Sequence, residues 1–439
     1  MSEPRATVAI IGAGTMGAGI AQVALEAGWT VILHDPVPGA TDKARKRITD
    51  GLARRAAKSR AGGDAEARAG VDPKTGAGAD ATDAHAIDAG AWTSAHLARL
   101  QAAATPAAAA ADAHLVIEAA IEDLEIKQRL FEELDRAAPP TTILATNTSA
   151  LSVGRIAEGA RTAPERVVGM HFFNPAPVLA LVEIVAATGS ATWAVEQAAG
   201  FAEAWGKTPI RSTDTPGFIV NRVNRPFTLE SLRLLRAGAG TVVEIDAAVM
   251  AAGFPMGPFA LMDLIGIDVN LAAARGLYEG SGRPARFRPS PIQEQLVAAG
   301  TLGRKTGAGF YRYDGAKRIG PAARFERPER PAPGSAPIDG AQVADRIILA
   351  IVNEAYRALG DRVATAADID QALRLGAGHP FGPFEWAHRT GLAEVAMELD
   401  ALSDEDADTF RPALALLREA RAAAGPATGP AAGPAAHGG

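Results

Sequence analysis

Apolar residues in the first half of the chain concentrate in short runs at 8–11, 31–34, 115–118 and 142–146, with a further pair at 166–170 and 179–185. Runs of this kind fit strands buried on both faces of a parallel sheet. Between them the period becomes helical. Ile20, Val23, Ala24 and Ala27 share one face of 16–27, which Gly28 ends; Leu130, Phe131 and Leu134 share one face of 122–136. Residues 41–58 form a basic helix with Lys43, Arg45, Lys46, Arg47, Arg54, Arg55 and Lys58, and 106–113 an Ala-rich one. Strands alternating with helices predict an α/β domain with a parallel sheet. Residues 59–91, rich in Gly, Ala and Asp, lack large apolar side chains. Such a stretch cannot offset the entropy of ordering itself, so it reads as a disordered insertion, with order returning at Leu97.

From 214 onward the pattern is helical, and it occurs twice. Asn221-Arg222, Glu230, Arg233 and Ile245-Asp246 align at one constant offset with Asp345-Arg346, Glu354, Arg357 and Ile369-Asp370. One inserted residue later, Pro255-Met256-Gly257-Pro258-Phe259 falls on Pro380-Phe381-Gly382-Pro383-Phe384. The expected organisation is therefore a nucleotide-binding domain over 1–213, a helical domain over 214–326 and a second copy of it over 338–424. A Pro-rich linker at 327–337 joins the copies, and a disordered tail of Gly, Ala, Pro, Thr and one His covers 425–439.

Composition narrows the function. A net charge of −6 over 439 residues gives no basic footprint for nucleic acid. The absence of cysteine excludes disulfides, thiolate zinc sites and a thiol nucleophile. No apolar run is long enough to span a bilayer and the N-terminus lacks a signal core, so a cytoplasmic protein with no membrane partner is expected.

The first strand runs into Gly12, Gly14 and Gly17 in the G-x-G-x-x-G spacing, with Thr15 and Met16 inside the turn. That spacing serves a tight turn, a close backbone approach to a pyrophosphate, and a helix packed on the strand. Asp35 ends the second strand about 20 residues on, where a carboxylate accepts the adenine ribose hydroxyls. No Lys or Arg follows before Lys43, so nothing waits for a 2′-phosphate and the cofactor reads as NAD. Asn147-Thr148-Ser149 ends another strand, at the sheet edge where ligands gather in this architecture. The strand 166–170 delivers His171 to the same edge. Glu183 is the one charge inside the apolar run 179–185, costly there unless partnered. His171 and Glu183 could form a general base and its orienting carboxylate, or His171 could be a hydrogen-bonded core residue.

The opening glycine turn, 116–119, 147–149, 171–175, 181–183, 214–222, 253–259 and 303–311 together resemble the 3-hydroxyacyl-CoA dehydrogenase family. The resemblance implies a Rossmann-type N-terminal domain followed by two all-α domains of the 6-phosphogluconate-dehydrogenase-like helical type. It implies oxidation of an (S)-3-hydroxyacyl-CoA to the 3-oxoacyl-CoA by hydride transfer to NAD, as in the β-oxidation of fatty acids. A short acyl chain is expected, such as 3-hydroxybutyryl-CoA or 3-hydroxyadipyl-CoA. His171 then takes the proton of the 3-hydroxyl and Glu183 orients it, while Ser149 and Asn221 hydrogen-bond near the reacting oxygen. Glu122, Lys127, Asn147, Asn174 and Lys305 fall at cofactor-contacting positions, and Lys58 at a position that meets the CoA phosphates. Where relatives carry a serine that assists there, this chain has Gly51. No metal is implied. Single-copy members pair through the helical domain, and a second copy can supply that packing internally, so a monomer or a homodimer is expected.

In the second copy Asp345 replaces Asn221 and no nucleotide turn precedes it, so that copy reads as structural, with His379 and His388 in packing or surface roles. Two rivals stand beside the dehydrogenase of acyl-CoA. One is an NAD-dependent dehydrogenase of a free hydroxy acid on the same fold; the other is a binding protein that has lost turnover.

Overall fold

The computed structural model describes residues 6–60, 88–326 and 339–424, which divide into two units, Met1–Phe218 and Ile219–Gly439. The central stretch of the expected insertion (61–87), the expected linker (327–337) and the tail (425–439) lie outside the described residues.

In the first unit the order is β1 (Thr7–Ile11), α1 (Thr15–Glu26), β2 (Thr30–His34), α2 (Ala40–Arg60), α3 (Ala89–Leu97), β3 (Leu100–Ala102), α4 (Pro106–Ala110), β4 (Leu115–Glu118), α5 (Leu124–Ala137), β5 (Ile143–Thr146), α6 (Val153–Ala157), β6 (Val167–Phe172), β7 (Leu181–Ala186), α7 (Thr192–Ala204) and β8 (Thr208–Thr213). One eight-stranded sheet runs β3-β2-β1-β4-β5-β6-β7-β8, with an apolar core on each face. Val8 and Ile10 of β1 enter one core and Ala9 and Ile11 the other, which is why the strand reads as an unbroken apolar run.

The sheet is parallel except at one pairing: β6 and β7 are antiparallel. The cause is the short connection 173–180. A parallel return needs a crossover of a dozen residues or more, and this connection can only reverse the chain. Strand β8, unpredicted from the sequence, then pairs parallel to β7 after the α7 crossover.

The ends of the expected insertion are ordered, which corrects the 59–91 assignment. Residues 59–60 finish α2, and 88–91 hold the cap and first turn of α3. Asp88 accepts the Gly90 N–H at 2.9 Å, and Trp92, its ring tilted against His96, packs against the core with Leu97. One capping carboxylate and one indole are enough to fix that end.

The second unit contains α8 (Val220–Val223), α9 (Arg225–Arg236), α10 (Val242–Ala251), α11 (Pro258–Ile265), α12 (Ile267–Gly280), α13 (Pro291–Ala298), a hairpin of β9 (Tyr311–Asp314) and β10 (Lys317–Pro321), then α14 (Gly340–Gly360), α15 (Ala366–Ala377), α16 (Pro383–Thr390), α17 (Leu392–Ser403), α18 (Ala407–Phe410) and α19 (Leu414–Ala424). The hairpin departs from the all-α expectation. Gly315-Ala316 makes its two-residue turn, with the first position, Gly315, at φ +56°, which glycine adopts without strain.

The repeat is visible atom by atom. Asp246 of α10 accepts the Phe259 and Ala260 N–H groups at the start of α11; Asp370 of α15 does the same for Phe384 and Glu385 at the start of α16. A Cβ on Gly257 would lie 2.3 Å from Asp246, and one on Gly382 2.1 Å from Asp370, so each Gly-Pro start needs its glycine. The two copies pack against each other, with α14 along α9 and α10 within one unit. Two reciprocal ion pairs join them. Arg222 of the first copy reaches Glu354 of the second at 2.8 Å, and Arg346 of the second reaches Glu230 of the first at 2.6 Å. His379 is buried with Nε2 2.8 Å from Asn224 Oδ1 and its ring against Phe254, and burial lowers its pKa to about 4; His388 pairs with Glu419 at the surface.

Glu354 is buried and receives Arg222 and Arg286, with Arg357 also facing it. Glu354→Ala leaves those guanidinium groups without their carboxylate. It should cost about 3–5 kcal/mol, read as a lower denaturant midpoint of the second unit. Unfolding at the wild-type midpoint would show that the cross-copy pairing carries no stability.

Candidate active site

The carboxyl ends of β1, β2, β4 and β5 and the loops after them carry the glycine turn, Asp35, Glu122 and Asn147 to Ser149. The glycine triplet divides its work by position. Gly12 sits at φ +111°, and a Cβ there would lie 2.5 Å from the Ala119 carbonyl oxygen. A Cβ on Gly17 would lie 1.8 Å from the Gly12 oxygen, so α1 can approach β1 only without one. A Cβ on Gly14 would meet nothing within 4 Å. Gly14 caps α1 with no side-chain hydrogen bond, leaving the first N–H groups of a 12-residue helix facing that open space. This cradle fits the diphosphate of a dinucleotide, with the helix dipole favouring its charge. Thr15 is exposed and Met16 half-buried in the first turn. Asp35 is held by the turn itself, accepting Ala13 N–H at 2.7 Å and Val37 N–H at 2.9 Å.

Behind the next loop lies a network of buried charge. Glu118, fully buried at the end of β4, accepts from Lys127 Nζ (2.6 Å), the Ala120 N–H (2.6 Å) and the Thr146 hydroxyl (2.7 Å). Lys127 Nζ also lies 3.3 Å from Glu122. Glu122 in turn accepts the Thr148 hydroxyl and the N–H groups of Ser149 and Ala150. Burial alone would raise the Glu122 pKa, but the Lys127 charge and these donors outweigh it and hold the carboxyl below its ordinary value. Lys127 is 1% exposed, so it presents no free cation to a ligand; it fixes Glu122, which fixes the 148–150 loop. Ser149 itself is exposed. Asn147 Oδ1 accepts the Phe172 N–H at 2.9 Å, tying the end of β5 to the end of β6.

His171 and Glu183 are direct partners in the antiparallel pairing of β6 and β7. Val168, Met170 and Phe172 of β6 and Val182 and Ile184 of β7 point into one core, which sends His171 and Glu183 together to the other face. Gly169 on that face allows the close approach, since a Cβ there would lie 2.7 Å from Val185 Cβ. His171 Nδ1 donates to Glu183 Oε2 at 2.6 Å, with both side chains buried. That bond places the proton on Nδ1 and leaves Nε2 as the basic nitrogen. The rings of Phe173 and Phe218 flank the imidazole, at 4.5 and 5.7 Å between centroids.

Asn174 is exposed just beyond β6, and Lys58 is exposed on α2. Gly51 lies under Gln22, and a Cβ there would come within 2.0 Å of Gln22 Oε1. Here glycine is what the α1–α2 packing allows. Asn221 and Lys305 belong to the second unit, where Asn221 is half-buried in α8 and Lys305 pairs with Asp268 at 2.5 Å. Sequence reasoning missed Thr146, Thr148 and the anchoring part of Glu118. It also missed Asp214, which accepts from Ser152, Val153 and Gly154 at the start of α6. The one available signal was Glu118, a charge at the end of an apolar run, like Glu183. Among the described residues no group of His, Cys, Asp and Glu could hold a metal ion, and no helix is long and apolar enough to cross a membrane.

Residues 7–215 match the 3-hydroxyacyl-CoA dehydrogenase NAD binding domain, and 217–313 and 343–428 each match the C-terminal domain of the same family. A 3-hydroxyadipyl-CoA dehydrogenase of Escherichia coli is 35% identical, over 94% of this chain and 97% of that protein. The human mitochondrial hydroxyacyl-coenzyme A dehydrogenase is 38% identical over 70% of this chain and 90% of its own length. A crystal structure of an E. coli 3-hydroxybutyryl-CoA dehydrogenase superposes with a TM-score of 0.77 at 34% identity, covering 96% of this chain and 99% of that one.

The carboxylate held beside the turn generates a prediction about cofactor choice. A 2′-phosphate would meet Asp35 with no cation beside it, so kcat/KM should favour NAD over NADP. Asp35→Ser should narrow that ratio by about ten- to a hundredfold, because like charges in contact cost several kcal/mol. Steady-state kinetics with both cofactors decide it, and a wild-type preference for NADP would refute the role of Asp35.

Proposed function

The chain belongs to the 3-hydroxyacyl-CoA dehydrogenase family and is an NAD-dependent enzyme of that kind; from this premise we propose which residues run the reaction and on which substrate. The observation that carries the proposal is the 2.6 Å bond from His171 to Glu183 across paired strands. An alcohol is a weak acid, so hydride cannot leave C3 readily unless a base takes the hydroxyl proton. His171 Nε2 is that base. Glu183 fixes the ring, keeps the proton on Nδ1, and stabilises the imidazolium once Nε2 is protonated. Bound NAD supplies the hydride acceptor. The α1 amino end and Asp35 hold it, while Glu122 keeps the 148–150 loop shaped so that Ser149 can hydrogen-bond the reacting oxygen. Asn147 and Asn174 line the cofactor side of the same edge. Asn221 and Lys305 are carried over from the family resemblance as further oxygen and cofactor contacts.

Lys58, exposed on α2 beside Arg54 and Arg55, suits the CoA phosphates. A short acyl chain, as in 3-hydroxybutyryl-CoA or 3-hydroxyadipyl-CoA, is supported by the names of relatives about one-third identical over nearly the whole chain. The reciprocal arginine–glutamate pairs between the two helical copies support a monomer, since each copy already has its partner.

Turnover of (S)-3-hydroxybutyryl-CoA should far exceed that of free 3-hydroxybutyrate, and equal rates would favour a hydroxy-acid dehydrogenase. His171→Gln should lower kcat by about 10²- to 10⁴-fold with the NADH dissociation constant unchanged. A His171→Gln enzyme that keeps its kcat would remove the proposed base.

A further inference from the structure

The C-terminal end of α14 opens into a cavity of about 710 Å³ that plays no part in the reaction derived above. Its walls are the last turn of α14 and the segment 407–418, which includes α18 and the start of α19, with Arg286 reaching in from the first copy. The charge balance there is uneven. Arg222 pairs with Asp361 at 2.5 Å, and Arg286 lies 3.6 Å from Asp408 and also takes its carboxylate on a backbone N–H. Glu354 is shared among Arg222, Arg286 and, at 3.6 Å, Arg357. Three arginines thus meet three carboxylates. Arg411 and Arg418, both exposed on the cavity wall, form no ion pair among the described residues, so these groups carry an excess of two positive charges, offset in part by Glu419 beside Tyr356.

The repeat supplies an internal control. Arg233 of α9 occupies the position that Arg357 occupies in α14. Arg233 is saturated by protein: Glu230 and Thr409 at 3.0 Å each, the Arg286 carbonyl at 2.8 Å and the Ala285 carbonyl at 3.4 Å. Arg357 has one hydrogen bond, to the Arg411 carbonyl at 3.1 Å, and the longer approach to Glu354. Burial lowers its pKa, against the opposing pull of the Glu354 and Asp408 carboxylates and with help from the Arg286 charge. The copy that carries no reaction therefore keeps spare donors where the other copy has used them.

Tyr356 also lines the cavity, its side chain buried and its hydroxyl beside the Glu419 carboxylate, which together with burial raises its pKa. One further feature points to an anion. The first turn of the 11-residue α19 borders the cavity at Leu414 and Ala415, with the positive end of the helix dipole. Ala407, Pro412 and Ala413 add an apolar wall. A cavity of this volume holds a drug-sized molecule, far more than inorganic phosphate needs. Arginine forks match phosphate oxygens two at a time. We propose that this cavity is a binding site for an organic phosphate of nucleotide size, held by Arg357, Arg411 and Arg418 with its apolar part against the 407–415 wall.

The probe is ADP, titrated calorimetrically into the full-length enzyme saturated with NADH so that the dinucleotide site is filled. One further equivalent of ADP should bind per chain, and added salt should weaken it. Arg418→Glu, at an exposed position, and Arg357→Met should each weaken it tenfold or more, with turnover in the absence of ADP unchanged. Should Arg357→Met fail to fold, Arg418→Glu alone decides. Loss of all ADP binding once NADH is saturating, or wild-type affinity in Arg418→Glu, would overturn the proposal.

Discussion

A carboxylate inside an apolar strand must find a partner or lose its charge, and in this protein that requirement is met by one side chain across a single antiparallel pairing. Glu183 stands opposite His171 because the connection 173–180 is too short to return parallel. Had the strands run parallel, the two residues would not stand directly opposite each other. Gly169 and Val185 on the same face bring the strands close enough for the 2.6 Å bond. The ring is thereby fixed before any substrate arrives, and its tautomer with it. In the proposed reaction Nε2 is the nitrogen that the alcohol meets.

The same economy governs the other charges at the edge. Asp35 and Glu122 each accept two backbone N–H groups from the loops they shape, and Asp214 does so at the start of α6. Glu118 reaches the loop through Lys127, which is buried between two carboxylates. Removing one member of such a set leaves another charge buried and unpaired, so the loops are rigid at the cost of tolerance to substitution. In the helical unit the same logic runs between copies, where each arginine is answered by the glutamate of the other copy.

What could be read in the sequence follows from where each signal lives. The glycine triplet, the apolar runs of β1, β2 and β4 to β7 and the repeat of Asp246 in Asp370 are local patterns, each with its structural counterpart; the three-residue edge strand β3, with one buried residue, was missed. The pairing of His171 with Glu183 was open on periodicity alone, because strand polarity decides it and polarity depends on a connection length that was not weighed. Strand β8 was missed because it lies at the sheet edge, with Pro209 and alternate polar residues in place of an apolar run. The ordered start of α3 hid in Asp88, one capping residue at the end of a stretch poor in apolar side chains. Lys127, carried over from the resemblance as a cofactor contact, is enclosed by two carboxylates from a strand end and a loop that meet it only in the fold.

The claim on which the chemistry depends is that His171 and Glu183 act as one unit, and a double-mutant cycle measures it directly. Single-turnover rates would be taken for His171→Gln, Glu183→Gln and the double variant with saturating NAD and 3-hydroxybutyryl-CoA. Glu183 works only through His171, so adding its substitution to His171→Gln should cost little more, far less than the product of the two single losses. Two losses that multiply in full would mean that Glu183 acts elsewhere and that the bond between the strands holds the fold and leaves the chemistry to other groups.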